Sequence, residues 1–200
     1  MPSRIDVANL SALKLGADRI MAFDDESKVA RALTLVFYPL LWAELARNRW
    51  TFAIKRASLP ALAAAPSWGF ERQFLLPVDC LRLDWIDGAG RSEYLANFIQ
   101  DSTSAFRIEG RYILTDLGAP LSIRYVARVD NPEEWDPCFV EAFATRLAAE
   151  ICEDVTQDGT KKRALMDEYL RSMSEAKRIS AIQNPPQSIP DDSWVQAREL

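Results

Sequence analysis

The chain has 200 residues, of which 48% are hydrophobic and 26% charged, the proportions of an ordinary globular protein with a substantial core. Its net charge of −5 argues against a general nucleic-acid binder, which is normally basic. Histidine is absent, which excludes Ser-His-Asp catalysis, Cys-His catalysis and imidazole-ligated metals. Three cysteines without a Cys-x-x-Cys pair favour buried thiols over a disulfide framework or a zinc site.

Two helices are predicted at the amino-terminal end. Residues 4–15 carry apolar side chains at helical spacing, and Gly16 ends this helix. In residues 25–50 apolar side chains recur every three or four positions, with Asp24 or Asp25 as N-cap and Pro39 as an internal kink. Because this apolar stripe is so long, we predict that the second helix is the centre of the core.

The middle of the chain is predicted to be β-structure. After Trp50 the apolar period changes from about 3.6 to 2, which predicts that a strand begins at once. Glycine-containing turns at 87–90 and at Gly110 indicate hairpins. We predict one antiparallel sheet with one face in water. Its further strands are predicted at 72–76, 81–85, 94–99, 106–109, 111–115 and 121–129.

Two more helices are predicted at the carboxyl-terminal end. Asp136 followed by Pro137 is a typical helix start, and apolar residues at intervals of four continue this helix until Gly159. Thr160 is predicted to cap a fourth helix that runs to about Ile182. Helices at both chain ends must pack together, because none has another partner for its apolar face.

The predicted fold class is α+β: a four-helix bundle formed from both chain ends, an inserted antiparallel β subdomain and an extended C-terminal tail. Residues 1–50 and 136–184 form the bundle, 51–135 the β subdomain and 185–200 the tail. The tail is short and polar, with one large aromatic residue, Trp194. Trp194 therefore either lacks a fixed structure or anchors the tail on a partner, and we favour the anchor.

Few residues suggest chemistry. Asp79, Asp84 and Asp87 lie close in sequence, and paired carboxylates can transfer protons or bind a divalent cation. We interpret them instead as solvated strand and turn residues, with Asp84 on an exposed strand face. Cys80 has no candidate base beside it, so it is not predicted to be a nucleophile. We therefore expect no enzymatic activity, no metal and no cofactor.

Charged residues of both signs flank the turn between the last two predicted helices. The acids can form an intersubunit face or a plain solvated face, and the basic residues can pair with them across the turn, pair across a subunit boundary or contact phosphate. We predict a subunit interface here, formed by Glu150, Glu153, Asp154, Lys161, Lys162 and Arg163.

Four segments in order resemble the phage tail tubular protein A family, the head-to-tail adaptors (connectors or gatekeepers) of short-tailed phages. They are VANLSALKLGADRI, RNRWTFAIKRASL, WGFERQFLLPVDCLRL and DDSWVQAREL, and the resemblance covers nearly the whole chain. It implies a structural virion protein that assembles into a ring, of twelve copies, between the portal protein and the tail nozzle protein. The genome passes through the ring lumen, for which an acidic net charge is suitable.

The same resemblance implies which part of the chain meets which partner. The helical part lies against the portal, the β subdomain faces the nozzle, and the C-terminal segment clasps the portal. The portal contact is thereby assigned to Asp191, Asp192, Ser193, Trp194, Val195 and Arg198.

The location expected from the sequence agrees with this role. The amino terminus lacks the apolar segment of a signal peptide, and no apolar run reaches the roughly 18–20 residues of a membrane span. We therefore expect synthesis in the host cytoplasm and function in the virion.

Two alternatives of other classes remain at this point. One is a DNA-binding module that acts through Lys161, Lys162 and Arg163. The other is a virion-associated enzyme that degrades cell-wall glycan through the carboxylates of residues 79–87.

Overall fold

A computed structural model describes residues 2–89 and 106–183. These residues form four α-helices and six β-strands, which makes the fold α+β as predicted. The helices are α1 (Arg4–Leu15), α2 (Lys28–Arg47), α3 (Pro137–Thr156) and α4 (Gly159–Ile182). The strands are β1 (Ile54–Leu59), β2 (Arg72–Leu75), β3 (Cys80–Ile86), β4 (Phe106–Glu109), β5 (Tyr112–Thr115) and β6 (Leu121–Ala127).

Helix α1 begins and ends where the sequence predicts. The Ser3 hydroxyl accepts a hydrogen bond from the Asp6 backbone N–H, and the Asp6 carboxylate accepts one from the Ser3 N–H. This reciprocal capping box satisfies two donors at the helix start. Gly16 ends the helix with φ of 71°, a left-handed conformation that glycine adopts without steric penalty.

Helix α2 is shorter than predicted at its start. Its N-cap is Ser27, whose hydroxyl accepts a hydrogen bond from the Ala30 N–H, so the prediction of Asp24 or Asp25 was wrong. The Asp25 carboxylate instead accepts hydrogen bonds from backbone N–H groups of the preceding loop. The helix continues through Pro39 to Arg47.

The chain does not pass directly from α2 into a strand, contrary to the prediction. A single 3₁₀ turn, Thr51–Ala53, separates α2 from β1. Trp50 is 1% exposed and packs against Phe139 of α3, with ring centroids 4.8 Å apart. Trp50 and Phe52 therefore alternate because both pack on the helices, and the strand begins only at Ile54.

The residue that caps the start of α4 lies two positions earlier than predicted. Helix α3 ends at Thr156, and Gln157 adopts a left-handed conformation with φ of 55°. Asp158, rather than Thr160, caps α4, because its carboxylate accepts hydrogen bonds from the backbone N–H groups of Thr160 and Lys161.

The strands form two sheets rather than the single sheet predicted. Their orders are β1-β6-β3 and β2-β5-β4, with all neighbours antiparallel. The predicted hairpin around Gly110 is confirmed as β4 and β5. A second apolar core joins the sheets and contains Phe74 and Ile113 from one sheet and Ile123 from the other. The predicted strand at 94–99 lies outside the described residues.

The four helices share one apolar core although they come from opposite ends of the chain. Helix α3 packs against α1, α2 and α4. The rings of Phe37 in α2 and Phe143 in α3 meet edge to face, 5.4 Å apart, and Trp135 packs on Phe143 at 5.6 Å. Val126 of β6 belongs to the same core, so the helices and the first sheet are continuous.

Within residues 2–89 and 106–183, α2 is long and apolar enough by length and composition to cross a membrane, which the sequence reading did not anticipate. Core helices of soluble proteins can meet the same criterion. Leu33, Phe37, Leu41 and Leu45 of α2 are each at most 1% exposed, within the shared core. We therefore interpret α2 as a core helix.

Candidate assembly surfaces

Asp84 is buried and doubly paired, so the prediction of a solvated residue was wrong. Its side chain is 5% exposed. One carboxylate oxygen accepts a hydrogen bond from Arg124 Nε at 2.6 Å, and the other lies 2.8 Å from Arg49 Nε. A shift in strand register between Leu83 and Trp85 breaks the alternation that predicted an exposed side chain. The carboxylate ties the end of α2 to the first sheet.

Asp79 has different partners from Asp84. Its carboxylate accepts hydrogen bonds from Lys55 Nζ at 3.0 Å and from the Tyr125 hydroxyl at 3.1 Å. Burial acts to raise the pKa of Asp79, but these hydrogen bonds outweigh it and lower the pKa. Burial, together with the hydrogen bond to Asp79, raises the pKa of Tyr125 to about 12.

Asp87 and Cys80 are the other residues of this region that were considered for chemistry. Asp87 is exposed in the turn after β3. Burial raises the pKa of the Cys80 thiol, which disfavours the reactive thiolate. Among the residues that the structure describes, no group of three or more histidine, cysteine or acidic residues is arranged to hold a metal ion.

The charges predicted to form a subunit interface pair mostly within the chain. Lys161 Nζ donates a hydrogen bond to the Leu15 carbonyl at 2.7 Å, and Arg163 is exposed. The acids use basic partners on three helices: the ion pairs are Lys162–Glu153 at 2.7 Å, Arg146–Glu150 at 2.8 Å and Lys28–Asp154 at 3.5 Å. Pairing across the turn is thus realised for Lys162, and the interface itself stays a prediction.

A buried acid in α2 was missed from the sequence. Glu44 is 1% exposed, lies 2.8 Å from Arg47 Nη1 and 3.9 Å from Arg146 Nε, and interacts with Tyr169. Burial, and then Glu44, raises the pKa of Tyr169 to about 12. The available signal was spacing, because Glu44 follows Leu41 by three positions on the buried stripe.

The second sheet and its preceding loop expose several large apolar side chains. Trp68 is 80% exposed, and Leu75 and Tyr112 are 46% and 41% exposed. Trp68 and Tyr112 line a cleft of about 360 Å³ on this side of the molecule. Leu75 is the register partner of Tyr112, so both side chains lie on the face of the second sheet that borders this cleft. We call this face the apolar β surface; it comprises Trp68, Leu75 and Tyr112.

A second groove is basic and lies where α2, β3 and α4 meet. Its volume is about 460 Å³. We call it the basic groove; its lining residues are Arg47, Asn48, Arg49, Trp50, Arg82, Lys177, Ser180 and Ala181. Arg47 and Arg49 are close in sequence, but Arg82 and Lys177 are distant from them and from each other, so no motif predicted the groove.

The predicted portal-contact residues Asp191, Asp192, Ser193, Trp194, Val195 and Arg198 lie outside the described residues.

No protein-family model matches the chain, and a search of curated proteins found no match. The resemblance to the adaptor family therefore depends on the four ordered segments alone.

Proposed function

We propose that the protein is a head-to-tail adaptor of a short-tailed phage, similar to the tail tubular protein A family. In this role copies form a ring, of twelve subunits, between the portal and the tail nozzle, and the genome passes through its lumen. The observation that carries the proposal is the apolar β surface, where two exposed aromatic side chains, Trp68 and Tyr112, line one cleft beside Leu75.

The helices supply the other half of the proposed adaptor. We propose that α1 to α4 act as one four-helix bundle that faces the portal. Their shared core supports this arrangement, since helices from both chain ends bury their apolar stripes against α3. A bundle with one shared core is suited to act as a rigid scaffold that has contacts at both ends.

The apolar β surface is the proposed contact with the nozzle. Trp68 and Tyr112 line the same cleft, and Leu75 is the register partner of Tyr112 in the second sheet. Large aromatic residues in a cleft are typical anchors of protein interfaces. The portal contact is proposed for residues 191–198, with Trp194 as its anchor.

Ring contacts are heterologous, because one patch meets a different patch on the next copy. The charges around the turn from α3 to α4 remain the proposed interface, with Arg163 as its exposed cation. Neither alternative function gains support from the described residues: Lys161 and Lys162 have partners within the chain, and Asp79 and Asp84 have separate ion-pair partners.

The proposal is tested by binding to purified portal and nozzle proteins of the same phage. We expect Trp68→Ser with Leu75→Ser to abolish nozzle binding while portal binding is retained. The matched control is Leu35→Ser with Met21→Ser, which removes apolar side chains that are 76% and 82% exposed in the helical part. Equal nozzle binding by both double variants, with folding verified by circular dichroism, overturns the assignment of the β surface.

A further inference from the structure

The basic groove holds more positive charge than its own acids neutralise. Arg47 pairs with Glu44, and Arg49 pairs with Asp84. Arg82 donates a hydrogen bond to the Asn48 carbonyl at 3.3 Å, and Lys177 is exposed on α4. Within residues 2–89 and 106–183, neither Arg82 nor Lys177 forms a salt bridge.

This excess is notable because the whole chain carries a net charge of −5. Two cations that face one groove without carboxylate partners repel each other, and an anion bound between them relieves that repulsion. The groove therefore favours an occupant with adjacent negative charges.

The described part of the chain ends beside this groove. Ser180 and Ala181 in the last turn of α4 form one wall. The Thr51 hydroxyl donates a hydrogen bond to Gln183 Oε1 at 3.1 Å, and the Thr51 backbone N–H donates one to Ser180. These contacts fix the point at which the following residues leave the helix.

The residues that follow contain an acidic pair within reach. Asp191 is eight positions after Gln183 in the sequence. At roughly 3.3 Å for each extended residue, eight residues span up to about 26 Å, whereas a groove of this volume is about 8 Å across. A tethered segment also has an effective concentration on the order of millimolar, so weak pairing is sufficient for high occupancy.

We propose that Asp191 and Asp192 of the same chain bind in the basic groove, against Arg82 and Lys177. If the proposed function is correct, the segment assigned to the portal is then held on its own subunit before assembly. Docking requires the portal to displace it from the groove, so portal affinity reports the competition between the two sites.

The experiment follows Trp194 in the full-length protein labelled with 5-fluorotryptophan. Fluorine NMR resolves each tryptophan, and Trp194→Phe identifies its resonance by loss of one signal. In the wild type we expect this resonance to move when NaCl is raised from about 50 mM to about 1 M, since the screening length falls to roughly 3 Å. The same movement is expected at low salt in Asp191→Asn with Asp192→Asn.

Charge reversal identifies the groove as the binding site. Arg82→Glu with Lys177→Glu is expected to give the high-salt resonance position at every salt concentration. If the double variant unfolds, Lys177→Glu alone is used in its place, because Lys177 lies on an exposed helix face. Adding Asp191→Lys to Lys177→Glu is expected to restore the low-salt position. The control is Arg19→Glu with Arg31→Glu, two exposed residues before and near the start of α2, at the end opposite the groove.

Three results overturn the proposal. The first is a Trp194 resonance that responds equally to the groove and control variants. The second is a salt response that depends on protein concentration, because the acidic pair then binds another copy. The third is retention on DNA that requires Arg82 and Lys177 while the Trp194 resonance is unchanged. None of these bears on portal docking by residues 187–200, which the deletion described below tests separately.

Discussion

Glu44→Gln tests whether the buried charge cluster holds the helices together. The substitution preserves size and removes the charge that faces Arg47 and Arg146. The side chain of Arg47 is 61% exposed, and Arg146 keeps an ion pair with Glu150 at 2.8 Å, so the substitution leaves neither arginine buried without compensation. We therefore expect a loss of about 1.5–3 kcal/mol, the contribution of hydrogen bonds to a charged group.

Thermal unfolding followed by circular dichroism measures this loss. For a chain of this length about 1 kcal/mol corresponds to roughly 2–4 °C, so we expect Tm to fall by about 3–12 °C. The matched control is Glu153→Gln, which removes a largely exposed partner of Lys162 and is expected to cost about 0–1 kcal/mol. A double-mutant cycle with Arg146→Met isolates the pairwise interaction. Equal losses for Glu44→Gln and Glu153→Gln refute the reasoning.

Further predictions concern the core, the ion pairs and the tail. Phe143→Ala is expected to lose about 3–5 kcal/mol of unfolding free energy in urea, because Phe143 is fully buried; a loss under about 1 kcal/mol contradicts the shared core. Asp84→Asn is expected to lower the free energy of unfolding in urea by about 1–3 kcal/mol, because Arg49 and Arg124 then lose their shared carboxylate partner. Tyr125 and Tyr169 are expected to ionise near pH 12 in an ultraviolet absorbance titration, and ionisation near pH 10 argues against their burial. Because their pKa values are raised on folding, stability is expected to fall as the pH rises from about 10 to about 12. Deletion of residues 187–200 is expected to weaken portal docking with little change in Tm, and unchanged docking opposes the clasp.

Helix positions were largely predictable because they depend on local patterns. Ser3 to Gly16 combines a capping box with a glycine stop, and both signals act within one turn. The N-cap of α2 was mispredicted because Asp24, Asp25 and Ser27 are all suitable caps, and the choice depends on where the loop places each side chain.

The sheets were harder to predict because strand pairing is not local. Alternation in residues 121–129 identified the buried face of β6, including Ile123 and Tyr125, but not its neighbours in the sheet. Pairing of β6 with β1 and β3 divides the strands into two sheets with a core between them. The register shift beside Asp84 likewise depends on the neighbouring strand, so the burial of the Asp84 side chain was not visible in the sequence.

Glu44 and the basic groove also differ in whether a local sequence pattern reveals them. Glu44 was detectable from its spacing on the buried stripe, although a charge is unexpected at a core position unless its partners are known. The basic groove was not detectable, because Arg82 and Lys177 lie on elements that only the tertiary fold brings together.

Electron microscopy of this protein mixed with its cognate portal tests the adaptor proposal most directly. We expect a closed ring of adaptor copies on the portal, with α1 to α4 against the portal and the apolar β surface, including Trp68, at the far end. A portal that stays bare, or that binds single copies through the second sheet, contradicts the adaptor proposal.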